Sequence, residues 1–263
     1  MTITTTPTGA IGTRRKLARA LSLLALLLAI AAALLLAAGP LGWRAGLWHY
    51  SVGLRTLMPW AAYCGLAAMT AAVLALVFGL RRNSRRNVTT AIVAFVVGAA
   101  IAYVPWHYDS MRGIFPPIND ITTDLQDPPQ FHAVLPLRAA EGGNPAVYGG
   151  AKTSEQQRRA YPDIAPLTLE LDPRKAFVRA HDAARHMGWI IVASDVDAGR
   201  IEASERSRWF GFTDDIAIRI AAGGTGSRID VRSMSRFGRS DFGVNATRVR
   251  AYLAALREAG GGK

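Results

Sequence analysis

The densest run of side chains able to do chemistry is RSMSRFGRSDFGVN, residues 232–245. It holds Arg232, Ser233, Ser235, Arg236, Arg239, Ser240, Asp241 and Asn245. A strand end leading through Gly238 and Gly243 into a helix N-terminus would present free backbone N–H groups beside guanidinium forks, which suits phosphate or carboxylate. The same residues suit a structural role equally well. Ser240, Asp241 and Asn245 would then cap the turn and the helix, and the arginines would pair with Asp214, Asp215 or Asp230. Both readings stay open in the sequence. A ligand or partner site here would use Arg232, Ser235, Arg236, Arg239, Asp241 and Asn245.

Other candidates are weaker. Asp214 and Asp215 are consecutive on an expected strand, so their side chains point to opposite faces and do not form a catalytic dyad. Asp120, Asp124 and Asp127 in NDITTDLQD suggest a calcium loop but lack its alternate-residue ligands and central glycine. His181 and His186 are five residues apart, about 140° around a helix of 3.6 residues per turn, and so do not share a face as a zinc-binding HExxH pair does. The serines and threonines sit in no G-x-S-x-G elbow, and GGTG between two alternating segments reads as a hairpin turn rather than a phosphate loop. No catalytic residue, metal ligand or cofactor is assigned from the sequence. An enzymatic alternative, an envelope hydrolase, would have to work with the 232–245 block.

The segments that carry these residues divide sharply by charge. The chain has 31 Lys and Arg against 19 Asp and Glu, yet no acid precedes Asp109. Before that point lie three apolar runs, 20–39, 57–80 and 88–104, each near the roughly 20 residues needed to cross a bilayer core of about 30 Å. Arg14, Arg15, Lys16 and Arg19 precede the first run, and Arg81, Arg82, Arg85 and Arg86 separate the second from the third. Only Arg44 and Arg55 lie between the first two. The preference of basic residues for the cytoplasmic side puts the N-terminus inside and everything after the third run outside.

Trp43, Trp48, Tyr50, Trp60, Tyr63, Tyr103, Trp106 and Tyr108 all fall at the expected outer ends, where interfacial aromatics belong. The first run exceeds the 7–15 apolar residues of a signal peptide, which favours an uncleaved anchor; cleavage would leave two spans of the same orientation. No ionisable side chain lies within the runs, so transport chemistry is not indicated. Gly65, Ala68, Gly98 and Ala99 offer close helix packing, and Cys64, the only cysteine, reads as a packing residue.

Residues 107–171 are rich in proline and glycine and read as an extended arm packed on the domain that follows. From Asp172 the pattern sharpens. Asp172 and Pro173 open a helix with the stripe Ala176, Phe177, Ala180, Ala184 and Met187, which Gly188 ends. Two hairpins follow, 189–206 and one built on the alternations Ile216, Ile218, Ile220 and Ile229, Val231. A last helix buries Val249, Tyr252, Leu253 and Leu256. The expected fold class is three transmembrane α-helices (residues 1–106) followed, after the arm, by an α+β domain (172–263). That domain is a two-layer sandwich of a four-stranded antiparallel sheet with helices on one face.

The segments PPINDITTDLQDPPQF (116–131), RIEASERSRWFGFTDDIAIRI (200–220) and RIDVRSMSRFGRSDFGVNATRVRAYLAAL (228–256) together resemble an uncharacterised bacterial family, the domain-of-unknown-function family numbered fourteen ninety-nine, in a membrane-anchored version. The resemblance implies a cell-envelope protein of unknown activity and carries over no catalytic residue. With it, the expected address is the bacterial inner membrane, multi-pass, with the C-terminal domain periplasmic. The expected partners are the lipid bilayer and an envelope protein or anionic envelope component, including an anionic lipid headgroup. A tail with nearly balanced charge gives nucleic-acid binding little electrostatic support.

Overall fold

The structure, a computed structural model, describes residues 8–79 and 85–258. Leu80, at the end of the second expected span, and Arg81 and Arg82 in the basic turn lie outside the described residues. The chain divides into two compact units, Met1–Ser110 and Met111–Lys263.

In the first unit, three helices among the described residues are long and apolar enough to cross a membrane. Helix α1 (Thr8–Arg44) continues through Pro40, past the expected end of the first span. A short helix α2 (Tyr50–Val52) and a π-helical turn (Gly53–Leu57) lead into α3 (Met58–Gly79), and α4 (Arg85–Met111) follows. The bundle interior is built of small residues, Ala25, Ala29, Ala68, Ala72, Ala75, Ala91 and Ala94, while Leu27, Leu34, Val77 and Val96 face outward. That inversion suits helices whose surroundings are as apolar as leucine itself, because close backbone approach rather than hydrophobic burial then drives association. Gly65 and Gly98 mark the closest crossing: a Cβ on Gly65 would lie 2.7 Å from the Gly98 carbonyl oxygen, and one on Gly98 2.6 Å from that of Gly65.

The second unit is built on an antiparallel sheet of six strands, not the expected four. The four expected strands are present as β3 (Ile190–Asp195), β4 (Arg200–Arg206), β5 (Thr213–Gly223) and β6 (Gly226–Ser235). The two extra strands come from the Pro/Gly-rich segment: β1 (Asp120–Thr122) pairs with residues 232–234 of β6, and β2 (Leu167–Leu169) with residues 227–229. Three residues are too few to show an alternating pattern, so these strands leave no trace in the sequence. Together they cover the edge of β6, which would otherwise present unpaired backbone groups. The same segment also contains helices α5 (Leu135–Ala140) and α6 (Gly150–Ala160), where little regular structure is expected.

Helices α7 (Pro173–His186) and α8 (Val244–Glu258) cover one face of the sheet. Helix α7 begins where the Asp172 carboxylate accepts from the Lys175 amide at 3.1 Å, and it ends at Gly188, whose φ of 79° suits a residue without a Cβ. Ile201, Ile216, Ile218 and Ile229, all at 0 % exposure, pack beneath the helices, each contributing roughly 1.5–3 kcal/mol by burial. The Tyr252 hydroxyl donates to the Ala180 carbonyl at 2.7 Å and joins the two helices.

The opposite face is where the structure departs most from a two-layer sandwich. Alternation puts Glu202, Ser204, Asp215, Arg219, Asp230 and Arg232 on it. Residues 120–146 lie across it, and Phe131, Val134, Ala217 and Met234 form a small apolar cluster there.

Candidate functional site

Because β5 and β6 alternate in register, Asp215 opposite Met234 and Asp214 opposite Ser235, the polar residues of the 232–245 block are sorted onto two faces. On the face under residues 120–146, Arg232 is at 0 % exposure. Its Nε and Nη2 donate to the two oxygens of Asp120 at 2.9 and 2.7 Å, and Nη2 also donates to the Ala146 carbonyl at 2.9 Å. The rings of Phe131 and Tyr148 flank the guanidinium, with centroids 4.8 and 5.5 Å from Cζ. The fork is therefore filled by a carboxylate of the chain itself, in the bidentate geometry that an external anion would need.

Arg236 is engaged in the same way. Its Nε and Nη2 donate to Asp215 at 2.9 and 2.7 Å, and Nη1 lies 3.0 Å from Glu141. Arg138, on α5, donates to the same Asp215 carboxylate at 2.7 Å and to the Ser235 carbonyl at 2.7 Å. The Ser204 hydroxyl gives Asp215 a further donor at 2.8 Å. Two arginines on one buried carboxylate leave a net positive charge, which Glu141 offsets from the side.

The helix-side face carries a second network. Arg248 of α8 donates to Asp214 at 2.6 Å and to Ser233 at 3.0 Å, and also to Glu205 and the Asn245 side-chain oxygen. Asn245, fully buried, donates to the Asn119 carbonyl at 3.0 Å and to Ser235 Oγ at 2.9 Å. Asp241 accepts from the Gly243 amide at 3.0 Å and from the Asn245 amide at 2.6 Å, at the start of α8. Burial pushes the Asp241 carboxyl above its ordinary range despite those amide bonds, and the nearby Asp214 charge pushes the same way. Phe242, between these contacts, has a φ of 53°, uncommon for a residue with a side chain.

Five of the six candidate residues, Arg232, Ser235, Arg236, Asp241 and Asn245, thus have internal partners. Arg239 is exposed and makes no ion pair among the described residues. The other sequence candidates are also placed. Asp124 and Asp127 meet Arg219 at 2.9 and 2.7 Å, and Asp124 also meets Arg228 at 2.8 Å. Of the expected carboxylate partners, Asp215 pairs with an arginine of the block, Arg236, whereas Asp214 pairs with Arg248 and Asp230 with Arg219 and Arg228; Asp120, the partner of Arg232, is not among those expected. His181 stacks on Phe177, and His186 Nδ1 lies 2.8 Å from the Asp182 carbonyl oxygen.

Sequence reasoning misses four residues that hold this arrangement together. Arg138 brings a second cation to Asp215, and Arg248 brings the cation of the helix-side network. Gln157 exchanges two bonds with the backbone of Thr122, at 3.0 and 2.6 Å, and so holds β1 in place. Glu202, at 0 % exposure, accepts from the amides of His132 and Val134 at 2.9 and 3.1 Å and fixes the turn before α5. The signal that could reveal them is the run of polar residues on alternate positions of β4, β5 and β6, a charged sheet face that requires an oppositely charged cover.

The family described as Protein of unknown function (DUF1499) matches residues 120–256, which run from β1 into the last turns of α8. No curated protein matches the chain.

Proposed function

The chain belongs to the DUF1499 family of proteins of unknown function, and from that premise we propose that it is a membrane-anchored cell-envelope protein whose second unit is a binding or accessory module. The observation that carries this reading is the engagement of the 232–245 block. Arg232 and Arg236 are filled by Asp120 and Asp215, and Asp241 and Asn245 are committed to the start of α8. These groups build the unit, and its recognition surface is the exposed one.

In this reading the three apolar helices lie in a bacterial inner membrane, with the second unit in the periplasm. The support is the distribution of basic residues: four before the first apolar run and four between the second and third runs, against two between the first and second. A phosphatase that is active only outside the cytoplasm, fused after Lys263, is expected to be active, and a fluorescent protein that matures only inside is expected to be dark. The reverse pair of results puts the unit in the cytoplasm and overturns the topology. The purified full chain is expected to turn over no ester, phosphate or glycan substrate; turnover lost on Arg236→Ala in a folded variant would instead establish a hydrolase.

A further inference from the structure

One end of the sheet gathers a cluster of aromatic rings. The β4–β5 connection, residues 207–212, places Trp209 against Phe210 with centroids 5.2 Å apart and stacks Phe210 on Phe212 at 5.0 Å. Phe212 in turn meets Phe237, just beyond β6, at 5.9 Å. Phe210 is buried and roots the cluster, while Trp209 at its tip is 36 % exposed. The loop is held by backbone and side-chain bonds: the Ser207 amide donates to the Phe212 carbonyl at 2.8 Å, Ser207 Oγ accepts from the Phe212 amide at 2.9 Å, and Arg206 Nε donates to the Gly211 carbonyl at 3.2 Å.

Arg206, Arg208 and Arg239 are exposed around these rings. The carboxylates at this end are engaged within the unit: Glu141, Glu205, Asp214 and Asp215 on Arg138, Arg236 and Arg248, and Asp241 on the amides of Gly243 and Asn245. The chain also enters the second unit here: Ser240 donates to the Pro116 carbonyl at 3.1 Å, and Asn119 to the Gly238 carbonyl at 2.7 Å.

We propose that this end is a docking surface for a phospholipid bilayer bearing anionic headgroups. Tryptophan favours the headgroup level, where its apolar body and polar N–H edge are both satisfied, and the partly exposed Phe212 and Phe237 beside it add apolar surface. Arginines beside them keep their stems on apolar surface and their guanidinium groups at lipid phosphates. The occupant is argued from two features. The rim is arginine, and the segment that fastens this end, residues 112–119, directly follows an apolar helix long enough to span a bilayer. The inference rests on the membrane-anchored reading, and its test separates the two.

The test uses the full chain with Cys64→Ser, reconstituted into vesicles of phosphatidylcholine with or without phosphatidylglycerol. An environment-sensitive probe is attached through Arg208→Cys or, at the far end of the sheet in the β5–β6 turn, through Thr225→Cys. The probe at 208 is expected to shift to the blue and to be quenched by chain-brominated lipid several-fold more than the probe at 225. Adding Arg239→Ser, or raising the salt concentration, should weaken that quenching while the melting temperature holds. Equal weak quenching at both positions in a chain that still floats with the vesicles overturns the docking surface alone. A chain that does not float overturns the anchoring as well. A blue shift that follows protein-to-lipid ratio rather than lipid charge assigns the surface to a second copy and overturns the proposal.

Discussion

Asp214 and Asp215 are neighbours on β5, yet one carboxylate meets Arg248 on the helix side of the sheet and the other meets Arg138 and Arg236 on the opposite side. Their removal should therefore have unequal costs. Asp215→Ala leaves Arg236 with only the half-exposed Glu141 as a carboxylate partner and Arg138 with backbone carbonyls alone, and loss of one member of a buried charge pair costs about 3–5 kcal/mol. Asp214→Ala leaves Arg248 still paired with Glu205, so its loss should be nearer a single charged hydrogen bond, about 1.5–3 kcal/mol. Denaturant unfolding of the two variants in detergent measures the difference. Equal losses would mean that Arg138 and Arg236 find other partners.

The pH dependence should carry two opposing contributions. Partial burial raises Asp124, but the amides of Asp127 and Gln126 and the charges of Arg228 and Arg219 outweigh it and hold the carboxyl below its ordinary range. Its stabilisation is present above the unfolded-state pKa of about 3.9 and is lost as pH falls through the folded value. Asp241 is raised by burial, so the folded state holds its proton longer. Stability from this group falls as pH rises from the unfolded-state value through the folded one. Asp124→Asn should flatten the acid limb of a melting-temperature profile, while Asp241→Asn should remove a decline at higher pH. The same change in slope from both variants would contradict the assigned directions.

In the first unit the prediction concerns the Gly65–Gly98 crossing. Gly65→Ala drives a methyl to 2.7 Å from the Gly98 carbonyl oxygen, and the backbones must separate. Overpacking of this kind costs about 1–3 kcal/mol, read as a lower melting temperature in detergent. Ala67→Val, on an exposed position of the same helix, should leave the melting temperature nearly unchanged. A melting temperature unaffected by Gly65→Ala would show that α3 and α4 do not depend on this approach.

The parts of this architecture that were legible in the sequence are those with a period. The stripe Ala176, Phe177, Ala180 and Ala184, the alternation Ile216, Ile218 and Ile220, and three long apolar runs each repeat often enough to give an element and a face. Asp172 and Gly188 mark their helix ends because capping chemistry is local. What could not be read are pairings set by distance along the chain. Asp120 and Arg232 are 112 residues apart, and Gln157 finds Thr122 across 35. Alternation also assigns Glu202, Asp215 and Arg232 to the polar face of a sheet, which reads as solvent-facing; only the segment folded over that face makes them buried. A charged block therefore resembles a ligand site when its ligands are other parts of the same chain.

Glu202 offers the most local test of how that segment is held. Its Oε2 accepts from the amides of His132 and Val134, while Oε1 is buried without a hydrogen-bond partner, with Arg200 Nε 3.7 Å away. One carboxylate oxygen thus does the work of an N-terminal cap for the turn entering α5, which has no side-chain cap of its own. Glu202→Ala removes that shared acceptor and strands two amide donors, at about 1–3 kcal/mol each where water cannot replace them. Because the donors belong to the covering segment and the acceptor to the sheet, the loss should appear first as local opening. Amide hydrogen exchange at His132 and Val134 should accelerate by far more than exchange in β5, where Ile216 and Ile218 keep their ladder. Equal acceleration in both places would mean that the cover and the sheet open as one cooperative piece, and that Glu202 stabilises the whole unit rather than its cover.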